Sequence, residues 1–517
     1  MSWDKSSEVY THPDILQRLL TTNHPPTPED IGPLEESRKS VRHSLLQVQK
    51  EIRILQQSLT ALKRKQAQLL VADDELRGVL SPIRRLPREI LAEILSLVPE
   101  RKPRSAYHDD KAVQFHDVFD TFTGYGLPWT LSYVCQEWRT VVTSLCPQLW
   151  TNLHIESYPE PLKNPVALLR EVLKRSGNRP LCIKFRLWCM DDNMPTVVHA
   201  IAVELFQAIV SCCHRWRVVE MDIKQHLWPA LHPILACGPL PFLEALEINC
   251  YSYSSNSDTS PTAYRPVTLD SHPYLHKILS GSPKLRDFSL SYDAENDGLP
   301  SRITTTPIRC ESMRTLTAFD VAIFESLELP RLEDLNVSTL QDDVPDFHGP
   351  DEMLSVLHAL VLRSRPPLVH LFLTDTIIDD NLLRIIALTP ALATLKFHFQ
   401  QWLEEFDVVF QELMTRLGQV VPLTGAHHLV PGLQLFSVEI QSVANASQHV
   451  DFVNQRFVSV VMSRWIPPQR VLKTILIEAD AEYRLSSADV RNLKVCQAQG
   501  LEISIVGEYP DGRIKYV

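Results

Sequence analysis

A heptad spacing of apolar residues dominates the chain between residues 41 and 69. Apolar side chains recur there at alternating intervals of four and three, with Gln66 as the interruption: Val41, Leu45, Val48, Ile52, Leu55, Leu59, Leu62 and Leu69. This spacing, without Gly or Pro between Leu34 and Arg77, predicts a heptad helix over residues 34–80. An apolar stripe of this kind must pack against another surface. The helix therefore either forms a homodimer through residues 41–69 or folds back on its own chain. Residues 1–33 are polar and interrupted by proline, which indicates a flexible tail.

Two amphipathic segments with helical spacing follow. Their apolar positions are Ile83, Leu86, Ile90, Leu91, Ile94, Leu95 and Val98 in the first segment, and Leu131, Val134, Cys135, Trp138, Val141, Val142 and Leu145 in the second. Pro87 favours a helix start, and Pro147 ends the second helix. Leu153 and Ile155 then predict a short strand. Two small helices cannot bury this much apolar surface against each other, so we expect a protein partner.

The second half of the chain repeats a pattern of alternating apolar residues. Six segments fit L-x-x-L-x-L, with a proline shortly before each: 243–248, 285–290, 332–337, 368–373, 392–397 and 433–438. Proline ends the preceding element, and the alternation predicts a strand with one buried face. Helix-like stretches at 351–364 and 380–388 lie between the copies. The pattern therefore predicts an irregular α/β array.

One residue of each predicted strand lies between two buried positions and points away from the core. These residues are Glu247, Ser289, Asn336, Phe372, Lys396 and Ser437. They are the candidate contacts for a protein target, although any single one can equally be exposed polar filler. Phe372 is the most informative, because an exposed aromatic side chain anchors a contact better than a serine does.

Composition and charge narrow the class of partner. The chain has 517 residues and a formal net charge of −11, and residues 1–104 hold 17 Lys and Arg against 14 Asp and Glu, so the remainder carries about −14. An acidic body does not suit nucleic-acid phosphates. The first residues show no basic-then-apolar signal, and no apolar run approaches the ~20 residues of a membrane helix. We therefore expect an intracellular protein, cytoplasmic or nuclear, with no nucleic-acid or membrane partner.

Signatures of catalysis and of metal or cofactor binding are missing from the sequence. It lacks the glycine-rich phosphate-binding patterns and the G-x-S-x-G nucleophile pattern. Its ten cysteines include no C-x-x-C pair and read as reduced, mostly buried thiols. Cys212, Cys213 and His214 are adjacent, but no second pair stands at zinc-ligand spacing. We expect no catalytic residue, no metal and no cofactor.

Three separated motifs in residues 81–155 resemble the F-box. They are Leu86-Pro87-x-Glu89-Ile90-Leu91, Leu131-x-x-Val134-Cys135-x-x-Trp138-Arg139 and Pro147-x-Leu149-Trp150. The version they resemble is abundant in mushroom-forming fungi, where a heptad helix often precedes it. The resemblance implies a small all-α domain that binds the Skp-type adaptor of a cullin–RING ubiquitin ligase. It implies contact through Leu86, Pro87, Ile90, Leu91 and Ile94, supported or extended by Val134, Cys135, Trp138 and Leu145. Residues 99–128 are an insertion that departs from the family.

The C-terminal region resembles a leucine-rich-repeat solenoid, with two departures. The spacing between copies is irregular. The positions that usually hold Asn or Cys carry other residues, namely Tyr251, Asp293, Leu340, Thr376, Gln400 and Gln441. The usual buried ladder of side-chain hydrogen bonds is therefore absent or improvised.

Together these patterns predict a mainly α/β chain in four parts. They are a flexible tail (1–33), a coiled-coil helix (34–80), an F-box domain with an insertion at 99–128 (81–155), and a leucine-rich-repeat-like target-binding domain (156–517). The expected function is that of a non-catalytic substrate-recognition adaptor of a Skp–cullin–F-box ubiquitin ligase, which commits a protein target to ubiquitin-dependent degradation. A coiled-coil interaction scaffold without a ligase role is the alternative.

Overall fold

The structure is a computed structural model that describes most of the chain. The described residues are 13–22, 24–98, 119–122, 126–156, 164–186, 196–224, 230–251, 272–292, 307–338, 350–422, 425–443, 449–465, 470–479, 481–509 and 512–517. Several predictions fall outside them: residues 1–12 of the tail, 99–118 and 123–125 of the insertion, and the ladder positions Asp293 and Leu340. The chain divides into two compact units, Met1–Leu91 and Ala92–Val517.

Helices and strands alternate along most of the described chain. The helices are α1 (Pro13–Thr22), α2 (Pro28–Leu80), α3 (Arg88–Ser96), α4 (Leu127–Val134), α5 (Gln136–Ser144), α6 (Pro165–Arg175), α7 (Thr196–Val210), α8 (His232–Ala236), α9 (His272–Gly281), α10 (Val321–Ser326), α11 (Met353–Ser364), α12 (Asn381–Leu388), α13 (Glu404–Leu417), α14 (Gln455–Trp465) and α15 (Ser487–Ala498). Short 3₁₀ helices occupy Pro82–Arg85, Pro147–Trp150 and Cys213–Arg215.

The strands are short in the first part of the chain and longer towards its end. They are β1 (Phe119–Asp120), β2 (Asn152–Glu156), β3 (Leu181–Arg186), β4 (Trp216–Lys224), β5 (Ala245–Tyr251), β6 (Asp287–Tyr292), β7 (Ile308–Arg309), β8 (Thr315–Ala318), β9 (Leu327–Glu328), β10 (Asp334–Val337), β11 (His370–Thr374), β12 (Thr394–Trp402), β13 (Leu435–Val443), β14 (His449–Val450), β15 (Thr474–Ala479), β16 (Glu482–Tyr483), β17 (Glu502–Tyr509) and β18 (Gly512–Lys515).

The N-terminal unit corrects the predicted flexible tail. Residues 13–22 form α1, and α2 begins at Pro28 rather than at residue 34. The Asp30 carboxylate accepts hydrogen bonds from the backbone N–H and the hydroxyl of Thr27, at 3.1 and 2.7 Å, which stabilises the first turn. With this start, the helix continues through Pro33. The predicted helix over residues 34–80 is present as part of α2.

The second predicted amphipathic helix is two helices rather than one. α4 ends at Val134, Cys135 has an extended backbone (φ −162°, ψ 172°), and α5 begins at the next residue. The Cys135 sulfur accepts a hydrogen bond from the Trp138 backbone N–H at 3.5 Å and so caps α5. The apolar spacing runs on through this point, so periodicity alone predicted one helix, and a local cap overrides it.

One long sheet organises the second unit. In the described part of the chain it has fourteen strands in the order β1-β2-β3-β4-β5-β6-β8-β10-β11-β12-β13-β15-β17-β18. Neighbouring strands are parallel, except that β17 pairs antiparallel with β18. Two-stranded sheets join β7 to β9 and β14 to β16. The predicted α/β class is confirmed at this level.

The six predicted strands are all present in this sheet, as β5, β6, β10, β11, β12 and β13. The helix-like stretches at 351–364 and 380–388 correspond to α11 and α12. The sheet also contains strands outside the repeat pattern, including β3, β4, β8, β15 and β17. The predicted domain boundary at 155/156 falls inside β2, which pairs with β3, so residues 152–156 belong to the sheet.

An apolar row crosses twelve of the parallel strands in register. We call it the inner row: Leu153, Ile183, Val219, Leu246, Phe288, Leu316, Leu335, Leu371, Leu395, Phe436, Ile475 and Ile503. Every member is buried. Burial of one such side chain contributes about 1.5–3 kcal/mol, so this continuous row fixes the register of the sheet.

Arg464 links the end of α14 to the end of α13 and to the segment that follows α13. It lies in the last turn of α14 and donates hydrogen bonds to the carbonyls of Leu417, Leu429 and Val430, at 3.0, 2.7 and 2.8 Å. Leu417 is the last residue of α13, where carbonyls lack intrahelical partners and attract a cation. Burial lowers the pKa of Arg464 to about 10.

Two other arginines make similar links. Arg215, which follows α7, donates to the Ser176 hydroxyl just beyond α6, at 2.5 Å. Arg363, in the last turn of α11, donates to the carbonyls of Phe324 in α10 and Leu327, the latter at 2.7 Å. Burial lowers the pKa of both side chains. These arginines connect successive helices through backbone carbonyls and a hydroxyl.

Candidate functional site

The first half of the predicted docking segment lies in the N-terminal unit. α3 begins directly after Pro87, as its proline indicates. Pro87 and Ile90 are exposed and Leu86 is half-buried. Leu91, in contrast, is only 2% exposed. Contact through Leu91 stays a prediction, and its side chain offers a partner much less surface than Ile90 does.

The second half of the predicted docking segment lies in the C-terminal unit and is largely open to solvent. Ile94 is 41% exposed and Val134 57% exposed. Cys135 and Leu145 are exposed as well, whereas Trp138 is half-buried. Exposed branched apolar side chains on neighbouring short helices are typical of a protein-binding surface.

A buried framework holds these side chains in place. The Trp150 indole N–H donates to the Val142 carbonyl at 2.9 Å, and its ring meets that of Trp129 edge-to-face with 4.9 Å between centroids. The guanidinium of Arg175, on α6, lies over both rings. The Cys146 thiol donates to the Ala92 carbonyl at 3.5 Å, which joins the end of α3 to the segment after α5. The framework leaves the outward apolar side chains without a cover in the described part of the chain.

The six predicted target-binding residues all lie in one register row. We call it the outer row: His154, Lys184, Glu220, Glu247, Ser289, Thr317, Asn336, Phe372, Lys396, Ser437, Leu476 and Ser504. Each member follows an inner-row residue, so its side chain points to the opposite face of the sheet. The sequence alignment therefore brought together residues that are also neighbours in space.

Exposure varies along the outer row. Lys396 is exposed, whereas Glu247, Ser289, Phe372 and Ser437 are half-buried. Asn336 is half-buried too, and its Oδ1 atom is buried without a hydrogen-bond partner among the described residues. The six candidates for target contact therefore stay predictions and differ in exposure.

A charged cluster occupies the outer row at β3, β4 and β5. Glu220 lies at its centre with its side chain 1% exposed. Its Oε1 atom contacts Lys184 Nζ at 2.9 Å and Arg186 Nη2 at 2.5 Å. Arg186 Nε also lies 3.2 Å from Asp222 Oδ2. Asn249 Nδ2 donates to Asp222 Oδ1 at 2.8 Å.

Burial and like charge act together on Glu247, which stands beside Glu220 in the row. Burial, together with the nearby carboxylates of Glu220 and Asp222, raises the pKa of Glu247 to about 7. Burial also raises the pKa of Asp222. Among the described residues, three carboxylates therefore lie beside two cations at this position, and the charged form of Glu247 is disfavoured.

Sequence reasoning missed this cluster, although a signal for it existed. β4 alternates buried Val219, Met221 and Ile223 with Glu220 and Asp222. Period-two alternation of apolar and charged residues predicts a strand with one charged face. The strand lies outside the leucine pattern because valine and methionine take the leucine positions. Exposed Leu97 and Tyr133, near the predicted docking residues, were likewise not singled out, and no motif marks them.

In the described part of the chain no group of three or more His, Cys, Asp or Glu side chains is arranged to hold a metal ion. No described helix is both long and apolar enough to cross a membrane. Cys213, next to His214, has its sulfur 2.8 Å from that of Cys237.

A comparison of the chain with models of known protein families finds no match. A search of the curated proteins likewise finds no match.

Proposed function

We propose that this chain is a non-catalytic substrate-recognition adaptor of a Skp–cullin–F-box ubiquitin ligase. In this proposal residues 81–155 act as an F-box that docks on a Skp-type adaptor. The long sheet, as an irregular leucine-rich-repeat-like solenoid, holds a protein target on its outer row. The target then undergoes ubiquitin-dependent degradation.

The main support for docking on a Skp-type adaptor is the pattern of exposed apolar side chains on α3, α4 and α5. The framework residues Trp150, Val142 and Ala92 are buried, whereas Ile94 and Val134 stay open to solvent. A small helical segment that served only its own core would gain from burying such side chains. A partner that covers them explains both the exposure and the three ordered motifs.

The target-binding half is supported by the outer row at β11, β12 and β13. Phe372, Lys396 and Ser437 stand side by side there in consecutive parallel strands. Aromatic side chains are enriched at protein interfaces, and Phe372 is the aromatic member of the outer row. We therefore assign target contact to this part of the row first.

The docking proposal is tested by co-purification of the full chain with a Skp-type adaptor. The double variant Ile94→Asp with Val134→Asp places two charges in the proposed contact. We expect it to lower the affinity for the adaptor more than about a hundredfold. Val408→Asp, at a valine on α13 that is 70% exposed, serves as the control and should bind normally. Unchanged binding of the double variant contradicts the docking proposal.

A coiled-coil scaffold without a ligase role is the second candidate, and the exposure of α2 favours it. Every residue from 42 to 80 is exposed, including the apolar stripe from Leu45 to Leu69. A scaffold predicts oligomers that depend on α2 and no binding of a Skp-type adaptor. The same co-purification therefore separates the two candidates.

A further inference from the structure

Residues 42–80 of α2 carry an apolar stripe that no other described residue of the chain covers. The helix has 53 residues, and residues 42–80 are all exposed. The stripe includes Ile52, Leu55 and Leu59, all about half exposed or more. A single solvated helix gains little stability from its backbone alone, so a helix of this length needs a packed face.

The spacing assigns the stripe to the seam of a coiled coil. In heptad notation Arg38, Leu45, Ile52, Leu59, Gln66, Asp73 and Leu80 occupy positions a, and Leu34, Val41, Val48, Leu55, Leu62, Leu69 and Leu76 occupy positions d. A repeat of 3.5 residues per turn keeps such a seam facing one partner helix along its whole length. The seam is apolar in its middle and carries one cation and one anion towards its ends.

We propose that α2 pairs with α2 of a second copy of this chain as an antiparallel coiled coil in which Leu55 faces Leu59. In this register Ile52 faces Leu62 and Leu45 faces Leu69. Leu34 faces Leu80 at the ends, so the two seams overlap over their full length. The pairing is symmetric about residue 57, as a twofold dimer requires.

The charges inside the seam favour this orientation over the parallel one. A parallel dimer brings each a position against its own copy, so Arg38 would face Arg38 and Asp73 would face Asp73. In the antiparallel register Arg38 and Asp73 of the second copy lie in adjacent layers. Like-charge contacts thereby become opposite-charge contacts.

The residues flanking the seam select the register. In the proposed register Glu51 faces Lys65 of the second copy, and Glu35 faces Arg77. Both pairs occur twice in the dimer and both are attractive. A shift of one heptad in either direction brings Arg42 against Lys63 or against Arg77, which repels. The charge pattern thus fits one antiparallel register and disfavours its two neighbours.

The orientation has a geometric consequence. A helix rises about 1.5 Å per residue, so the two Leu80 residues of the dimer lie roughly 70 Å apart. In a parallel dimer they would lie about 10 Å apart. Antiparallel pairing therefore keeps the two segments that begin at Ser81 well separated, whatever those segments bind.

Dimerisation is tested by the mass of the full chain in solution. At micromolar concentration we expect a sedimentation-equilibrium mass of twice the 59.0 kDa chain. Leu55→Asp should give the single-chain mass, because it places a charge in the seam. Ile54→Asp is the matched control, since Ile54 is 54% exposed, Leu55 is 68% exposed, and only Leu55 lies on the seam. A single-chain mass for the unmodified protein, or equal dissociation of both variants, overturns the proposal.

Orientation is tested by charge reversal. Glu51→Lys and Lys65→Glu, made singly, should each raise the dimer dissociation constant roughly tenfold, since two attractive pairs become repulsive. The double variant restores both pairs and should return the constant to within about threefold of the original. In a parallel dimer these residues face Gln56 and Leu70, so no rescue is expected. Single variants without effect, or a double variant as weak as the singles, overturn the antiparallel register.

Discussion

The outer face of the sheet is built differently at β3–β5 and at β11–β13, although the backbone register is continuous across both. At β3–β5 the row holds Lys184, Glu220 and Glu247, and Lys184 and Arg186 are paired with Glu220. At β11–β13 the row holds Phe372, Lys396 and Ser437, and Lys396 is exposed. The first region keeps its cations in contact with its own carboxylates, whereas the second keeps an exposed cation beside an aromatic ring. The same fold thus supports a closed surface in one place and an open one in another.

The helices behind these two regions also differ in how they are tied together, which sets the largest expected effect. Arg464 is 2% exposed and donates to three backbone carbonyls, whereas Arg215 is 7% exposed and donates to the Ser176 hydroxyl, the Arg179 carbonyl and, at 3.4 Å, the Leu173 carbonyl. We expect Arg464→Met to lower the free energy of unfolding by about 4 kcal/mol and Arg215→Met by about 2 kcal/mol. Urea unfolding measures both.

Arg456→Met provides the control for this pair, because Arg456 lies on the same helix as Arg464 and is exposed. It should change the free energy of unfolding by less than about 0.5 kcal/mol. An equal loss for Arg464→Met and Arg456→Met would show that the buried link contributes nothing.

The internal pairing at β3–β5 predicts the next largest effect. Glu220→Gln removes the carboxylate that Lys184 and Arg186 share, and leaves two partly buried cations with less compensation. We expect a loss of about 3 kcal/mol in the free energy of unfolding. Lys396→Gln makes the same kind of change in the open region and should cost less than about 0.5 kcal/mol. Similar losses in both variants would break the distinction between a closed and an open surface.

Glu247 predicts a pH-dependent effect of smaller size. Its pKa is about 7 in the folded protein against 4.5 for a free side chain, so the folded state binds this proton more tightly than the unfolded state does. The charged side chain therefore costs stability above pH 7, and the cost fades as the pH falls towards 4.5. Glu247→Gln should stabilise the protein by about 2 kcal/mol at pH 8 and by almost nothing at pH 4.5.

Urea unfolding of Glu247→Gln and of the unmodified chain at the two pH values measures this difference. Glu439→Gln, at an exposed position on β13, is the control and should leave the stability at pH 8 within about 0.5 kcal/mol. A gain that is the same at both pH values would contradict the raised pKa of Glu247.

The two regions also show which strands of the sheet could be predicted from the sequence alone. The six strands that follow a proline and carry leucines at fixed positions were predictable, because alternation reports one buried face. Aligning them even placed six outer-row residues correctly in one register. β4 and β8 were not predicted, because Val219, Met221 and Ala318 occupy the positions where the leucine pattern has larger aliphatic residues.

Burial of the outer row could not be predicted from any single strand. Glu220 is enclosed by side chains of β3 and β5, which lie far from it in sequence. The break at Cys135 has a similar origin, since a local cap decides it rather than periodicity. Patterns within one element predict the element, and contacts between elements decide the site.

The open region predicts the smallest change in stability and, under the proposed function, a change in binding. Lys396→Glu should leave the free energy of unfolding within about 0.5 kcal/mol, because the side chain is exposed. It should lower the amount of bound target about tenfold, since it reverses a charge beside Phe372. Quantitative mass spectrometry of co-purifying proteins, normalised to the Skp-type adaptor, measures this. Lys473→Glu, at an exposed lysine just before β15, is the matched control and should retain the target. If both variants retain the same proteins in the same amounts, target contact does not lie at β11–β13, and the closed surface at β3–β5 becomes the next place to look.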